Sequence, residues 1–231
     1  MFSLSPEEQQ IIGLSLKVAA TATLFSLPPG VALAYLLSRA EFPGKALLSG
    51  VTHLPLILPP VVTGYALLLL FGRSGPLGRL LEPIGIVFAF DWTGAALAAA
   101  IMGFPLLVRA VRLSFDLVDP RIERAAETLG ARPLVRFLTI TLPLALPGVA
   151  AGAVLGFAKA LGEFGATITF VASIPGETRT LPLAIYSLTQ VPGGEAAALR
   201  LVLISVGVSI GALVLSEWGA RSVARRVGGR R

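Results

Sequence analysis

The chain has 231 residues, of which 55% are hydrophobic and 14% charged, and its mean hydropathy is +0.82. A chain of this length cannot bury so much apolar surface in one core, so the composition argues against a soluble domain and favours membrane-spanning segments. With no Cys and a single His, the sequence offers no disulfide, thiolate metal site or His cluster. The net charge of +6 does not indicate nucleic-acid binding, because the Lys and Arg residues are spread among the connections between apolar runs.

Five stretches are long and apolar enough to cross a bilayer, which takes about 20 residues each. The first amino acids lack a basic region and include Glu7 and Glu8, so we expect no cleaved signal peptide and a retained first span. The sequence therefore predicts an all-α integral membrane protein, with a single transmembrane domain over residues 1–231 and a core over about residues 10–218. The predicted spans are residues 11–37, 47–71, 93–111, 140–161 and 199–218.

Positive charge is distributed unevenly among the connections. No Lys or Arg precedes the first span, whereas six Arg lie between Arg109 and Arg136. Because cytoplasmic connections are enriched in Lys and Arg, the sequence predicts an N-terminus outside and a C-terminus in the cytoplasm. The other cations that agree with this orientation are Arg39 and Lys45 after the first span, and Arg221, Arg225, Arg226, Arg230 and Arg231 in the tail.

A charged insert, "ERAAETLGARPLVRFLTITLP", lies within and just after the predicted cytoplasmic connection of residues 114–139. Asp119-Pro120 is typical of a helix start, and Gly130 is typical of the residue that follows a helix end. The insert is either a surface helix that merely joins two spans or a docking element for another protein. Small residues on an exposed stripe favour docking. The predicted stripe consists of Ile122, Ala125, Ala126 and Leu129, with Glu123 off that face.

The spacing of this insert resembles the EAA loop of ABC importer permeases. Arg124-Ala125-Ala126 is followed after three residues by Gly130, after nine more by Ile140, and then by Leu142-Pro143. The chain departs from that pattern at Arg124, where the family has Glu; Glu123 stands one residue earlier. The resemblance implies the type I ABC importer permease fold and a coupling helix that docks on a separate ATPase. The implied coupling residues are Glu123, Arg124, Ala125, Ala126, Leu129, Gly130, Leu142 and Pro143.

Other stretches, among them "LPLILPPVVTGY", "ALGEFGATITFV" and "IPGETRTLPLAIY", resemble molybdate ABC transporter permeases more than sulfate permeases. The resemblance implies a homodimer in the bacterial inner membrane, two cytoplasmic ATPase subunits and a periplasmic molybdate-binding protein. Molybdate would cross by alternating access. Permeases for tungstate, sulfate or thiosulfate remain alternatives, and so does a stand-alone secondary transporter, which would need no ATPase-docking loop.

The sequence contains no phosphate-binding loop of the G-x-x-x-x-G-K-[ST] type and no Ser–His–Asp or Cys–His set. We therefore expect no enzymatic activity, no catalytic residue, no metal site and no cofactor in this chain. ATP and Mg²⁺ are expected in the partner ATPase.

Two segments are candidates for the translocation path or its gate. An oxyanion needs a hydrated route with hydrogen-bond donors, but binding that is too tight would prevent its release. Irregular backbone at membrane depth occurs where it lines a cavity. The alternative is that these Gly and Pro residues serve helix kinks and close packing. The candidates are Pro59, Pro60, Thr63 and Gly64 in the first segment, and Gly162, Glu163, Phe164, Gly165 and Thr167 in the second.

Overall fold

A computed structural model describes the backbone of residues 4–228 and the side chains of residues 4–214. The regular structure of this part is entirely helical, which confirms the predicted all-α class. The tail arginines predicted to orient the chain lie outside the described side chains. The helices are α1 (Pro6–Arg39), α2 (Lys45–Ile57), α3 (Pro60–Phe71), α4 (Pro76–Leu81), α5 (Trp92–Asp116), α6 (Pro120–Thr128), α7 (Pro133–Arg136), α8 (Leu142–Leu161), α9 (Gly165–Val171), α10 (Leu181–Thr189) and α11 (Glu195–Gly228), with a 3₁₀ turn at Glu82–Ile84 and a π turn at Phe137–Thr141.

Four helical segments in the described part are long and apolar enough to cross a membrane: Pro6–Arg39, Trp92–Asp116, Pro133–Leu161 and Glu195–Val214. They correspond to the first, third, fourth and fifth predicted spans. The helix α1 begins before the predicted residue 11, because Ser5 and Glu8 cap each other's backbone N–H groups at 2.7 and 3.2 Å.

The second predicted span is not one straight helix. It is divided into α2 and α3, which meet at an angle of 110°. Pro59 and Pro60 donate no backbone hydrogen bonds, and Leu58 before them is extended, so the helical ladder stops there. Each piece is only about 20 Å long, against about 30 Å of hydrocarbon, so neither crosses alone.

The helices α1, α5 and α8 pack closely because small residues line their contacts. A Cβ placed on Gly103 of α5 would lie 3.1 Å from the Gly156 carbonyl oxygen of α8. One placed on Gly152 would lie 2.8 Å from Val111 Cγ2. In a membrane, where the hydrophobic effect does not drive helices together, such close approach supplies the packing contacts.

Opposite ends of α1 are joined to different parts of the chain. At its start, Glu7 pairs with Arg179 at 3.4 Å and Glu8 pairs with Arg200 at 2.9 Å. At its last residue, Arg39 bonds to the segment that contains α6. The Arg-rich α6–α7 segment therefore lies at one end of the molecule, and the acidic N-terminal turn lies at the other.

Candidate functional site

The short helix α6 is delimited as the sequence predicts. Asp119 Oδ1 accepts the Arg121 N–H at 2.8 Å, and Pro120 occupies the first helical position. Gly130 follows the C-cap with φ of +82°, a conformation that favours glycine. A new helical start at Pro133 leads through the π turn into α8. The chain thus forms a helix, a glycine corner and a second helix that becomes a span.

The outer side of α6 is an exposed apolar surface. Leu129 is 88% exposed and Ile122 45% exposed, and Ala125 and Arg124 are also exposed. We call Ile122, Ala125 and Leu129 the outer face of α6. An apolar face on the most charged connection of the chain is suited to contact with a protein partner.

The inner side of α6 differs from the prediction. Ala126 is buried at 7% exposure, so its place on the exposed stripe was wrong. Glu123 is also buried, because positions three apart share one side of a helix and this side faces the rest of the protein. Its Oε1 accepts hydrogen bonds from Arg39 Nε at 3.1 Å, Arg39 Nη2 at 3.0 Å and Thr141 Oγ1 at 3.0 Å.

The remaining predicted coupling residues lie behind the outer face. Leu142 and Pro143 are partly buried in the first turn of α8, where Leu142 packs on the core formed by α1, α5 and α8. Glu127 pairs with Arg136 at 2.8 Å and so joins α6 to α7. Of the predicted coupling residues, Ala125 and Leu129 therefore lie on the outer face, whereas Glu123 and Ala126 lie on the inner side. We call Glu123 and its partners Arg39 and Thr141 the inner anchoring set.

The two predicted path segments lie against each other. A Cβ on Gly64 of α3 would come within 2.8 Å of Ala166 Cα in α9, and one on Gly165 would come within 2.6 Å of Pro60 Cβ. Gly64 and Gly165 are therefore in close packing contacts in this structure. They also bring the bend between α2 and α3 next to the break between α8 and α9.

Glu163 lies in the break between α8 and α9, and its buried side chain stabilises that break. Its side chain is 1% exposed, forms an ion pair with Lys159, and accepts the Ala166 N–H at 3.0 Å. The buried Thr167 hydroxyl donates to the Phe164 carbonyl oxygen at 2.8 Å. Both groups are thus engaged within the chain, and neither is open to a passing ion in this conformation.

The more accessible path candidates surround this contact. Pro59, Pro60 and Gly162 are exposed, and Phe164 is half-buried beside Tyr186, with ring centroids 5.0 Å apart. Thr63 is buried, and its Oγ1 has no hydrogen-bond partner among the described residues. Nor do three or more His, Asp or Glu residues of the described part come together in a way that could hold a metal ion.

The family model "Binding-protein-dependent transport system inner membrane component" matches residues 26–227. The chain belongs to this family of permeases. The permease is 58% identical over 226 residues to the molybdenum transport system permease protein ModB of Escherichia coli strain K12, covering 97% of this chain and 99% of that protein. It is 53% identical over 222 residues to ModB of Haemophilus influenzae, with 96% and 97% covered.

The solved structures agree with the fold. A chain from the bacterial alginate ABC transporter, crystallised with an alginate pentasaccharide-bound periplasmic protein, matches the permease with a TM-score of 0.73 and 19% identity. The match covers 96% of this chain and 80% of that chain. At this identity the similarity establishes the architecture of an ABC importer permease, as the resemblance implied.

Two residues of the inner anchoring set, Arg39 and Thr141, were not predicted as site residues. Arg39 was counted only as a charge that orients the first connection, and Thr141 was not singled out. Arg39 lies 84 positions and Thr141 18 positions along the chain from Glu123. The sequence did contain one indication of a buried inner side. Glu123 and Ala126 are three positions apart, so a carboxylate and a small residue lie on the same side of α6.

Proposed function

We propose that this permease is the membrane subunit of an ATP-driven importer that carries molybdate into the cytoplasm by alternating access. The observation that carries the proposal is the outer face of α6, an apolar surface held rigidly at the Arg-rich end of the spans. The high identity to molybdenum transport permeases over almost the whole chain supports the substrate.

The outer face fits a groove on a cytoplasmic ATPase subunit. Ala125 permits close approach, whereas Ile122 and Leu129 provide apolar area that would otherwise remain in contact with water. Arg121 and Arg124 are exposed beside this face and provide charges for recognition. The ATPase subunits bind ATP and Mg²⁺, and two of them serve one transporter.

The orientation follows from the charges at the two ends of α1. We place α6 and the C-terminus in the cytoplasm and the N-terminus outside, in the bacterial inner membrane. The acidic first turn of α1, with Glu7 and Glu8, then lies outside beside the loop that contains Arg179. A periplasmic molybdate-binding protein would deliver the anion at this outer end.

The transporter is a homodimer with the path between the two copies. Exposed apolar side chains on α2 and α3, including Ile57, Val61 and Tyr65, are available to contact the second copy. The path candidates Pro59, Pro60, Gly162 and Phe164 adjoin this surface, and Thr63 supplies a hydroxyl without a partner in the described part. Neutral donors of this kind suit an anion that must also be released.

The test is reconstitution of the permease in lipid vesicles with its ATPase and binding protein. ATP hydrolysis and anion uptake are measured with the binding protein loaded with molybdate, tungstate or sulfate. We expect stimulation by molybdate. Stimulation by the sulfate-loaded protein alone would overturn the substrate, and ATP-independent uptake by the permease on its own would establish a secondary transporter instead.

A further inference from the structure

We propose that Glu123 is a positioning residue that transmits movement of α6 to three membrane helices, and that it does not contact the ATPase. This inference rests on the proposed function, in which α6 receives the motion of an ATPase subunit. It assigns separate tasks to the two sides of α6: the outer face docks, and Glu123 transmits.

The geometry places one carboxylate oxygen where three spans meet. Arg39, which donates two hydrogen bonds to Glu123 Oε1, is the last residue of α1. The same guanidinium donates from Nη2 to the Val118 carbonyl oxygen at 2.9 Å, just beyond the end of α5. Thr141, the third donor to Oε1, is the residue immediately before α8.

Burial makes this connection stiff. Thr141 is fully buried, and the Glu123 and Arg39 side chains are only 10% and 18% exposed. Hydrogen bonds to ionised groups are short and directional, and they strengthen away from water. Moving α6 without α1 and α8 would leave the buried Glu123 carboxylate without its cation and its hydrogen-bond donors, which is strongly unfavourable. The three helices are therefore expected to follow α6.

The other ion pair of α6 is less suited to this task. In the Glu127–Arg136 pair, the Glu127 side chain is 66% exposed. Exposed pairs contribute little and yield easily to water. That pair also reaches only α7, on the near side of the π turn. Glu123, by contrast, reaches Thr141 at the far end of the π turn, where α8 begins.

The decisive variant is Thr141→Val, which keeps the side-chain shape and the ion pair but removes the hydrogen bond from α8 to Glu123. Thr139→Val is the control from the same π turn, because the exposed Thr139 hydroxyl donates to the Val135 carbonyl oxygen in α7 and not to Glu123. Thr141→Ser restores the hydroxyl. Each variant is assembled with the ATPase and binding protein in vesicles, and anion uptake per ATP hydrolysed is measured alongside complex assembly.

We expect Thr141→Val to lower uptake per ATP by about three- to tenfold while assembly is unchanged, since a hydrogen bond to a charged group is lost. Thr139→Val and Thr141→Ser should match the wild type. Equal coupling in Thr141→Val and the wild type would overturn the inference, as would equal losses in Thr141→Val and Thr139→Val. If the wild-type complex itself shows neither anion-stimulated ATP hydrolysis nor uptake, the proposed function fails instead.

Discussion

Gly64 in α3 and Ala166 in α9 are in direct backbone contact. A Cβ at position 64 would lie 2.8 Å from Ala166 Cα and 3.0 Å from its carbonyl carbon, so the two helices approach as closely as two backbones allow. This contact holds the bend of the second predicted span against the break that follows α8. It makes position 64 a sensitive probe of the fold around the path candidates.

Gly64→Ala is expected to destabilise the protein by about 1–3 kcal/mol, because the added methyl group meets backbone that cannot move aside cheaply. Thermal unfolding in detergent measures the change. Gly13→Ala in α1 is the control, since nothing lies within 4 Å of a Cβ there and alanine favours the helix. Equal melting temperatures for the two variants would contradict the contact.

Thr63→Val tests whether the unpaired hydroxyl serves transport. Removing a buried hydroxyl without a partner among the described residues should leave stability unchanged or raise it slightly, whereas uptake should fall if the hydroxyl donates to the passing anion. Thr52→Val is the matched control, because the buried Thr52 hydroxyl already donates to the Leu48 carbonyl oxygen at 2.7 Å. Unchanged uptake in Thr63→Val would favour a packing role.

Lys159→Met should destabilise the protein by about 3–5 kcal/mol, because it leaves the Glu163 carboxylate buried without its cation. The double variant Lys159→Met with Glu163→Gln should recover most of this loss. Its neutral side chain still accepts the Ala166 N–H and needs no cation. Melting temperatures of both variants give the comparison. A double variant no more stable than Lys159→Met would show that the pair is not the source of the loss.

Leu129→Asp should reduce ATPase association at least tenfold, since it places a charge on the most exposed large side chain of the outer face, and Leu129 contacts little of its own chain. Membrane insertion and melting temperature should stay as in the wild type. The control is Leu80→Asp in α4, another exposed leucine, which lies between the second and third predicted spans and so outside in the proposed orientation. Co-purification with the ATPase subunit is the measurement. Equal retention of the ATPase by the two variants would argue against docking at α6.

The features predicted well from the sequence depend on local chemistry. Asp119 and Gly130 mark the ends of α6 by their own capping preferences, and long apolar runs mark the spans whatever their neighbours are. The orientation, the dimer and the path depend on more than one chain or on a membrane, and they remain proposals.

The features missed depend on contacts between distant residues. Glu123 looked like a surface carboxylate because Arg39, its partner, is 84 positions away. The paired prolines indicate irregular backbone, but neither the 110° angle between α2 and α3 nor the contact of α3 with α9 can be read from local sequence. Periodicity likewise assigned both alanines of α6 to one face, since neighbouring positions 100° apart both fit a broad stripe.

The division of those two alanines has an evolutionary consequence. Ala125 faces outward and Ala126 faces the chain's own interior. In the proposed complex, substitutions at position 125 therefore affect the contact with the ATPase, and a compensating change would arise in the ATPase. Substitutions at position 126 affect only the packing within this chain. The two adjacent alanines are thus under different constraints: contact with the ATPase at position 125, and packing within this chain at position 126. Pairing the permease with an ATPase from another organism would change the first constraint and leave the second unchanged.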